Sequence, residues 1–111
     1  MIIRAKTFKQ WFKYNFTKGE MKDIAEYGAH GGLHHITYYN DTIKIYNKFE
    51  DDIWASLADD AEDMGMDIIA MISETFNQKS VMMIDSATQF KNLMVWYMCE
   101  KLARELTKFS V

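Results

Sequence analysis

Proline is absent from the 111 residues, so no helix interior is broken by a missing N–H and no proline-rich linker divides the chain. With one cysteine, Cys99, no intrachain disulfide can form, and no CxxC or HExxH spacing occurs to hold zinc. Glycine is scarce at five residues, and none of them builds a phosphate-cradling loop. The longest unbroken apolar run, Leu93 to Cys99, has seven residues, against the ~20 that a bilayer requires. Met1-Ile2-Ile3-Arg4 meets charge too soon to be a secretion signal. These absences lead to the expectation of a cytoplasmic chain with no membrane segment, no cofactor and no resident metal.

What is present suits a folded domain. Hydrophobic residues make up 49 % and charged residues 26 %, a balance that supports a buried core. The length allows one domain, residues 1–111, and leaves no room for a second. The net charge of −3 conceals a strong segregation: residues 1–49 sum to +4, residues 50–75 to −9 with no Lys or Arg at all, and residues 76–111 to +2. One middle segment therefore carries nearly the whole negative field.

Helix signals recur along the chain, predicting an all-α fold, a compact bundle of about five helices. Thr7 is placed to cap a helix over Phe8 to Asn15, with Phe8, Trp11 and Phe12 on one side. Thr17 and Glu20 form a capping box opening a second helix through Ile24, which Gly28 would close; Gly28 to His35 reads as a loop. The third and longest helix is predicted from Tyr39 or Asn40 to Met64, with Gly65 as its stop. At about 100° per residue, Tyr39, Ile43, Tyr46, Ile53, Trp54, Leu57, Ala61 and Met64 fall in one apolar stripe. Asp67 suits the cap of a fourth helix, Ile68 to Phe76, with Ile68, Ile69, Ile72 and Phe76 sharing a face. Val81 to Ile84 reads as a loop packed on the core. Ser86 and Gln89 form a second capping box, opening a last helix to about Lys108. Because Leu93 to Cys99 is apolar all round, that helix is expected at the centre of the bundle, with Cys99 a buried thiol.

The segments Phe8-Lys9-Gln10-Trp11, Ile24-Ala25-Glu26-Tyr27-Gly28, Ile36-Thr37-Tyr38-Tyr39, Asp52-Ile53-Trp54, Asp60-Ala61-Glu62-Asp63-Met64-Gly65 and Gln89-Phe90-Lys91-Asn92-Leu93 with Val95-Trp96-Tyr97 span nearly the whole chain. In these segments the sequence resembles a family of small bacteriophage-encoded proteins without an assigned function. His34 and His35 depart from that pattern. The resemblance implies a phage accessory protein acting in the host cytoplasm, of the kind that binds and inhibits a host protein or defence complex. Asp52-Ile53-Trp54 and Asp60-Ala61-Glu62-Asp63 are also similar to an acidic helix of phage antirestriction proteins that mimic DNA.

The same wheel sets Asp51, Asp52, Asp59, Glu62 and Asp63 opposite the apolar stripe, with Asp60 at its flank. These six are the candidate partner-binding residues, because carboxylates on a rigid helix can occupy a basic groove. An ordinary solvated face is the competing reading. Glu50 falls inside the apolar stripe and is expected to need a partner, Lys101 or Arg104, or to sit at an edge. His30, His34 and His35 form the one ligand-like cluster, but Gly31 and Gly32 between them favour a metal-free loop. No constellation suits catalysis, so the chain is expected not to be an enzyme. The alternative function is a structural or nucleic-acid-associated phage protein that uses the basic, aromatic N-terminal helix, with Lys6, Lys9, Trp11, Lys13, Tyr14 and Lys18. Trp11, Tyr38 and Trp96 leave room for a homodimer, although no heptad seam specifies one.

Overall fold

The computed structural model describes residues 5–32, 39–77 and 87–107, with the side chains of 28–32, 39–41, 76, 77 and 89 excepted. Within these, six α-helices follow one another and no strand occurs: α1 (Phe8–Asn15), α2 (Lys18–Gly32), α3 (Tyr39–Lys48), α4 (Glu50–Met64), α5 (Ile68–Asn77) and α6 (Ala87–Thr107). The fold is all-α, as the helix signals require.

The caps form where the short polar residues stand. Thr7 accepts from the Gln10 amide at 3.1 Å and opens α1. The Thr17 amide donates to Glu20 at 2.7 Å while the Glu20 amide donates to the Thr17 hydroxyl at 3.1 Å, a complete capping box ahead of α2. Asp67 accepts from the Ala70 amide at 2.7 Å and starts α5. Gly65, at φ 69°, takes the left-handed conformation that ends α4.

Two boundaries differ from expectation. Gly28 does not stop α2, which runs on through Gly32. A glycine stops a helix by turning left-handed. Where the neighbouring helix offers packing, it can instead stay helical at a propensity cost of about 1 kcal/mol. α2 and α6 form the most extensive helix pair. The predicted helix from Tyr39 to Met64 is two helices, broken at Phe49 (φ −120°, ψ 26°). The buried positions Ile45, Phe49, Ile53, Leu57 and Ala61 are four apart. Each step of four overshoots a 3.6-residue turn by about 40°, so a straight helix would carry the stripe away from the core. The break resets it. Phe49 turns inward there, its ring 5.9 Å from Phe8 edge-on and 6.4 Å from Trp11.

α6 lies at the centre and touches all five other helices. Leu93, Met94, Val95, Tyr97, Met98, Cys99, Leu102 and Ala103 are buried along it, with Trp96 partly so. Around it pack Phe8, Trp11 and Phe12 of α1, Met21 and Ile24 of α2, Ile45 and Tyr46 of α3, Ile53, Leu57 and Ala61 of α4, and Met71 and Ile72 of α5. The buried stripes are narrower than the wheel predicts: Trp54, Met64 and Ile69 are exposed, and Ile43 is half-buried. The side chains of Tyr39, Phe76 and Gln89, and residues Val81 to Ile84, Ser86 and Lys108, lie outside the described residues.

Candidate functional site

The six acids of α4 separate into two groups by what reaches them. Asp51, Asp59, Glu62 and Asp63 are exposed, and none makes an ion pair among the described residues. Asp52 and Asp60 are tied to the fold. One carboxylate oxygen of Asp52 accepts the Phe8 backbone N–H at 2.7 Å, closing the first turn of α1 from a position 44 residues away. A negative charge at a helix N-terminus also meets the positive end of the helix dipole. Asp60 faces α6, where it accepts from the Tyr97 hydroxyl at 3.1 Å and the Lys101 ammonium at 2.9 Å. Lys101 also donates to the Ser56 hydroxyl at 2.9 Å. An ammonium engaged with a carboxylate has no lone pair to accept the Ser56 proton, so this cluster is a clamp between helices and not a nucleophile with its base. Burial, then the negative charge and hydrogen bond of Asp60, push the Tyr97 hydroxyl up to about 12.

The sequence leaves Glu50 either paired with Lys101 or Arg104 or at an edge. The structure gives Lys101 to Asp60 and leaves Glu50 exposed in the first turn of α4, the edge placement. The carboxylate that is buried is Glu100 on α6, 2 % exposed, accepting from Arg104 at 3.3 Å. The signal for it was present as an i, i+4 acid–base pair running out of the apolar segment Leu93 to Cys99. Burial, with the neighbouring Glu100 charge, raises the Cys99 thiol well above its ordinary range, which keeps it protonated and unreactive.

The N-terminal basic surface loses its central aromatic. Trp11 is 0 % exposed, its ring 5.2 Å from Phe8 and 5.8 Å from Phe16, so it can neither stack on a base nor form a dimer contact. Lys9 pairs with Glu105 at 3.3 Å and Lys18 reaches the Leu106 carbonyl at 3.5 Å. Tyr14 remains open, 62 % exposed. His30 lies on the helical backbone of α2, and its side chain, His34, His35 and Tyr38 lie outside the described residues. Among the described residues no three His, Cys, Asp or Glu side chains gather as a metal site, and no helix is long and apolar enough to cross a membrane.

Sequence reasoning missed one feature beside the acids. An open groove of about 520 Å³ between α4 and α5 is lined from α4 by Trp54, Ala58, Ala61 and Glu62 and from α5 by Ile68 and Ile69, with Met66 and Asp67 from the connection between them. Trp54 is fixed there, its indole N–H donating to the Tyr46 hydroxyl at 2.8 Å and its ring 6.4 Å from Phe90. The hint in the sequence was an apolar stripe wider than one helix neighbour can cover, with Trp54 at its margin.

A family described as a domain of unknown function (DUF7222) matches residues 2–110. No curated protein and no solved structure matches the chain significantly.

Proposed function

Since the chain belongs to this domain family (DUF7222), whose description names no activity, we propose from the surface itself that it is a binding protein that presents the outward carboxylates of α4 to a cationic patch on a macromolecular partner. The observation that carries this reading is the set Asp51, Asp59, Glu62 and Asp63, exposed on one helix in a segment with no Lys or Arg between residues 50 and 75. Around Asp59, Glu62 and Asp63 such a face steers a basic partner toward it and holds register on arrival, whereas Asp51 shares a surface depression with Lys6 and Lys48.

Charge density bears on the kind of partner. From Asp51 to Asp63 the helix rises ~18 Å and offers four outward carboxylates, whereas duplex DNA carries roughly ten phosphates over that length. A basic patch on a protein fits this density better than a full duplex channel does. The resemblance to small phage-encoded proteins narrows the proposal to inhibition of a host defence complex or a host nucleic-acid enzyme.

The test is affinity capture from lysate of an expressing host cell, comparing the wild-type chain with Asp51→Asn/Asp59→Asn/Glu62→Gln/Asp63→Asn. The expected result is a partner released by added salt, lost from the quadruple variant and retained by Lys6→Gln/Lys13→Gln. A partner captured equally by the neutralised variant overturns the reading. Retention of random DNA in a gel shift, abolished by the lysine variant, would instead support the basic N-terminal surface as the working one.

A further inference from the structure

We propose that the groove between α4 and α5 seats a cationic amphipathic helix, a partner segment with one apolar face bordered by Lys or Arg. The inference rests on the acidic-face reading for its electrostatics and adds an apolar seat to it. Soluble monomers seldom leave large side chains clustered in the open, and here Trp54 (37 % exposed) and Ile69 (63 % exposed) face one depression. Ala58 and Ala61 also line it, with side chains too small to fill it. Trp54 is held by Tyr46 and Phe90, so its ring is already ordered and loses little freedom on contact.

Charge selects the occupant. Glu62 lines the groove from α4. Asp67 lines it at the start of α5. The groove's own lining holds two carboxylates and no cation, so a negatively charged amphipathic segment would meet like charge at Glu62 and Asp67. A helix laid in the groove with apolar residues at i, i+3 and i+4 would put its flanking Lys or Arg beside these carboxylates.

The probe is an amphipathic Leu/Lys peptide about four helical turns long, titrated into the full chain and followed by calorimetry and tryptophan emission. A Leu/Glu peptide and a Ser/Lys peptide of equal length serve as comparisons. Trp11 is fully buried and Trp96 partly so, which makes Trp54 the indole expected to report. The Leu/Lys peptide is expected to bind one to one with a blue shift that Trp54→Phe removes. Ile69→Ser should weaken it roughly tenfold, the loss of one buried aliphatic contact. Glu62→Gln should weaken it about threefold and flatten its salt dependence. Ile69 and Glu62 are exposed, and unchanged circular dichroism checks that both variants stay folded.

Equal binding of the Ser/Lys and Leu/Lys peptides overturns the apolar seat while leaving the acidic-face reading standing. Equal binding of the Leu/Glu peptide overturns the cationic occupant. Failure of every lysine peptide to bind counts against both readings. A concentration-dependent dimer of the free chain, abolished by Ile69→Ser, overturns the proposal in favour of a second copy of this chain in the groove.

Discussion

The two sides of α4 carry the same residue type to opposite ends. On the side toward α1 and α6, Asp52 and Asp60 each bond groups from a distant part of the chain; on the outer side, Asp51, Asp59, Glu62 and Asp63 bond nothing described and face water. An acidic face on a helical wheel is therefore not one object. A carboxylate within reach of a backbone N–H, a phenol or an ammonium becomes part of the fold's framework, and only those beyond such reach are left for a partner. The comparison also explains why the helix tolerates so much charge of one sign: part of it meets the first turn of α1 and the ammonium of Lys101.

The largest effect is expected from Asp60→Ala. It strips the acceptor from both Tyr97 and Lys101, two groups that burial has partly removed from water. Because the pair keeps some exposure to solvent, the cost is expected at about 2 kcal/mol, short of a fully buried ion pair. For a chain of this size that lowers the Tm by roughly 8 to 10 °C in calorimetry. A drop no larger than that of an outward acid would mean the seam and the outer face are energetically alike. Asp52→Ala comes next, at about 1.5 kcal/mol, because the Phe8 amide loses a charged acceptor. Faster hydrogen exchange in the first turn of α1, with α4 unaffected, would locate that loss.

How far this division could be read beforehand depended on the range of the interaction. Thr7, the Thr17–Glu20 box, Asp67 and Gly65 act within a few residues of themselves, and each marks a boundary where the pattern places it. The run Leu93 to Cys99 had to be central, since it has no polar side to show water. By contrast, the break at Phe49 brings its ring to Phe8 and Trp11, and the continuation of α2 past Gly28 has no local marker. Asp52 finds Phe8 across 44 residues and Asp60 finds Tyr97 across 37, pairings that a wheel drawn for one helix does not contain. Glu50 takes the edge placement, exposed one residue after the buried Phe49, whereas a continuous wheel drawn through the break there sets it inside the stripe.

Alkaline titration sharpens the seam further. Tyr97 is held at about 12 in the folded chain against 10.0 ordinarily, so between these values the unfolded chain gives up a proton that the folded one keeps. Folded protein binding more protons means that stability falls as pH rises through this window, whereas below about pH 10 the contribution is fully present. Tyr97→Phe is expected to cost about 1 kcal/mol near neutrality for the lost hydrogen bond. Above pH 10 the gap between wild type and variant should narrow, because the wild type alone loses the phenol's contribution. Parallel Tm curves from pH 8 to 12 would show that the Tyr97 proton is indifferent to folding.

The smallest effects belong to the outer face, and their smallness is the informative part. Asp59→Asn/Asp63→Asn is expected to change stability by no more than about 0.5 kcal/mol, and upward if anything, since it removes like-charge repulsion from exposed residues that pair with nothing described. Glu50→Ala, at an exposed position in the first turn of α4, should cost only about 0.3 to 0.5 kcal/mol, through the lost attraction to the helix dipole. That loss should disappear in high salt, where such an attraction is screened, whereas the losses at Asp60 and Asp52 should largely remain. A large, salt-insensitive loss at Glu50, Asp59 or Asp63 would place that carboxylate inside the framework with Asp52 and Asp60, and remove it from the surface offered to a partner.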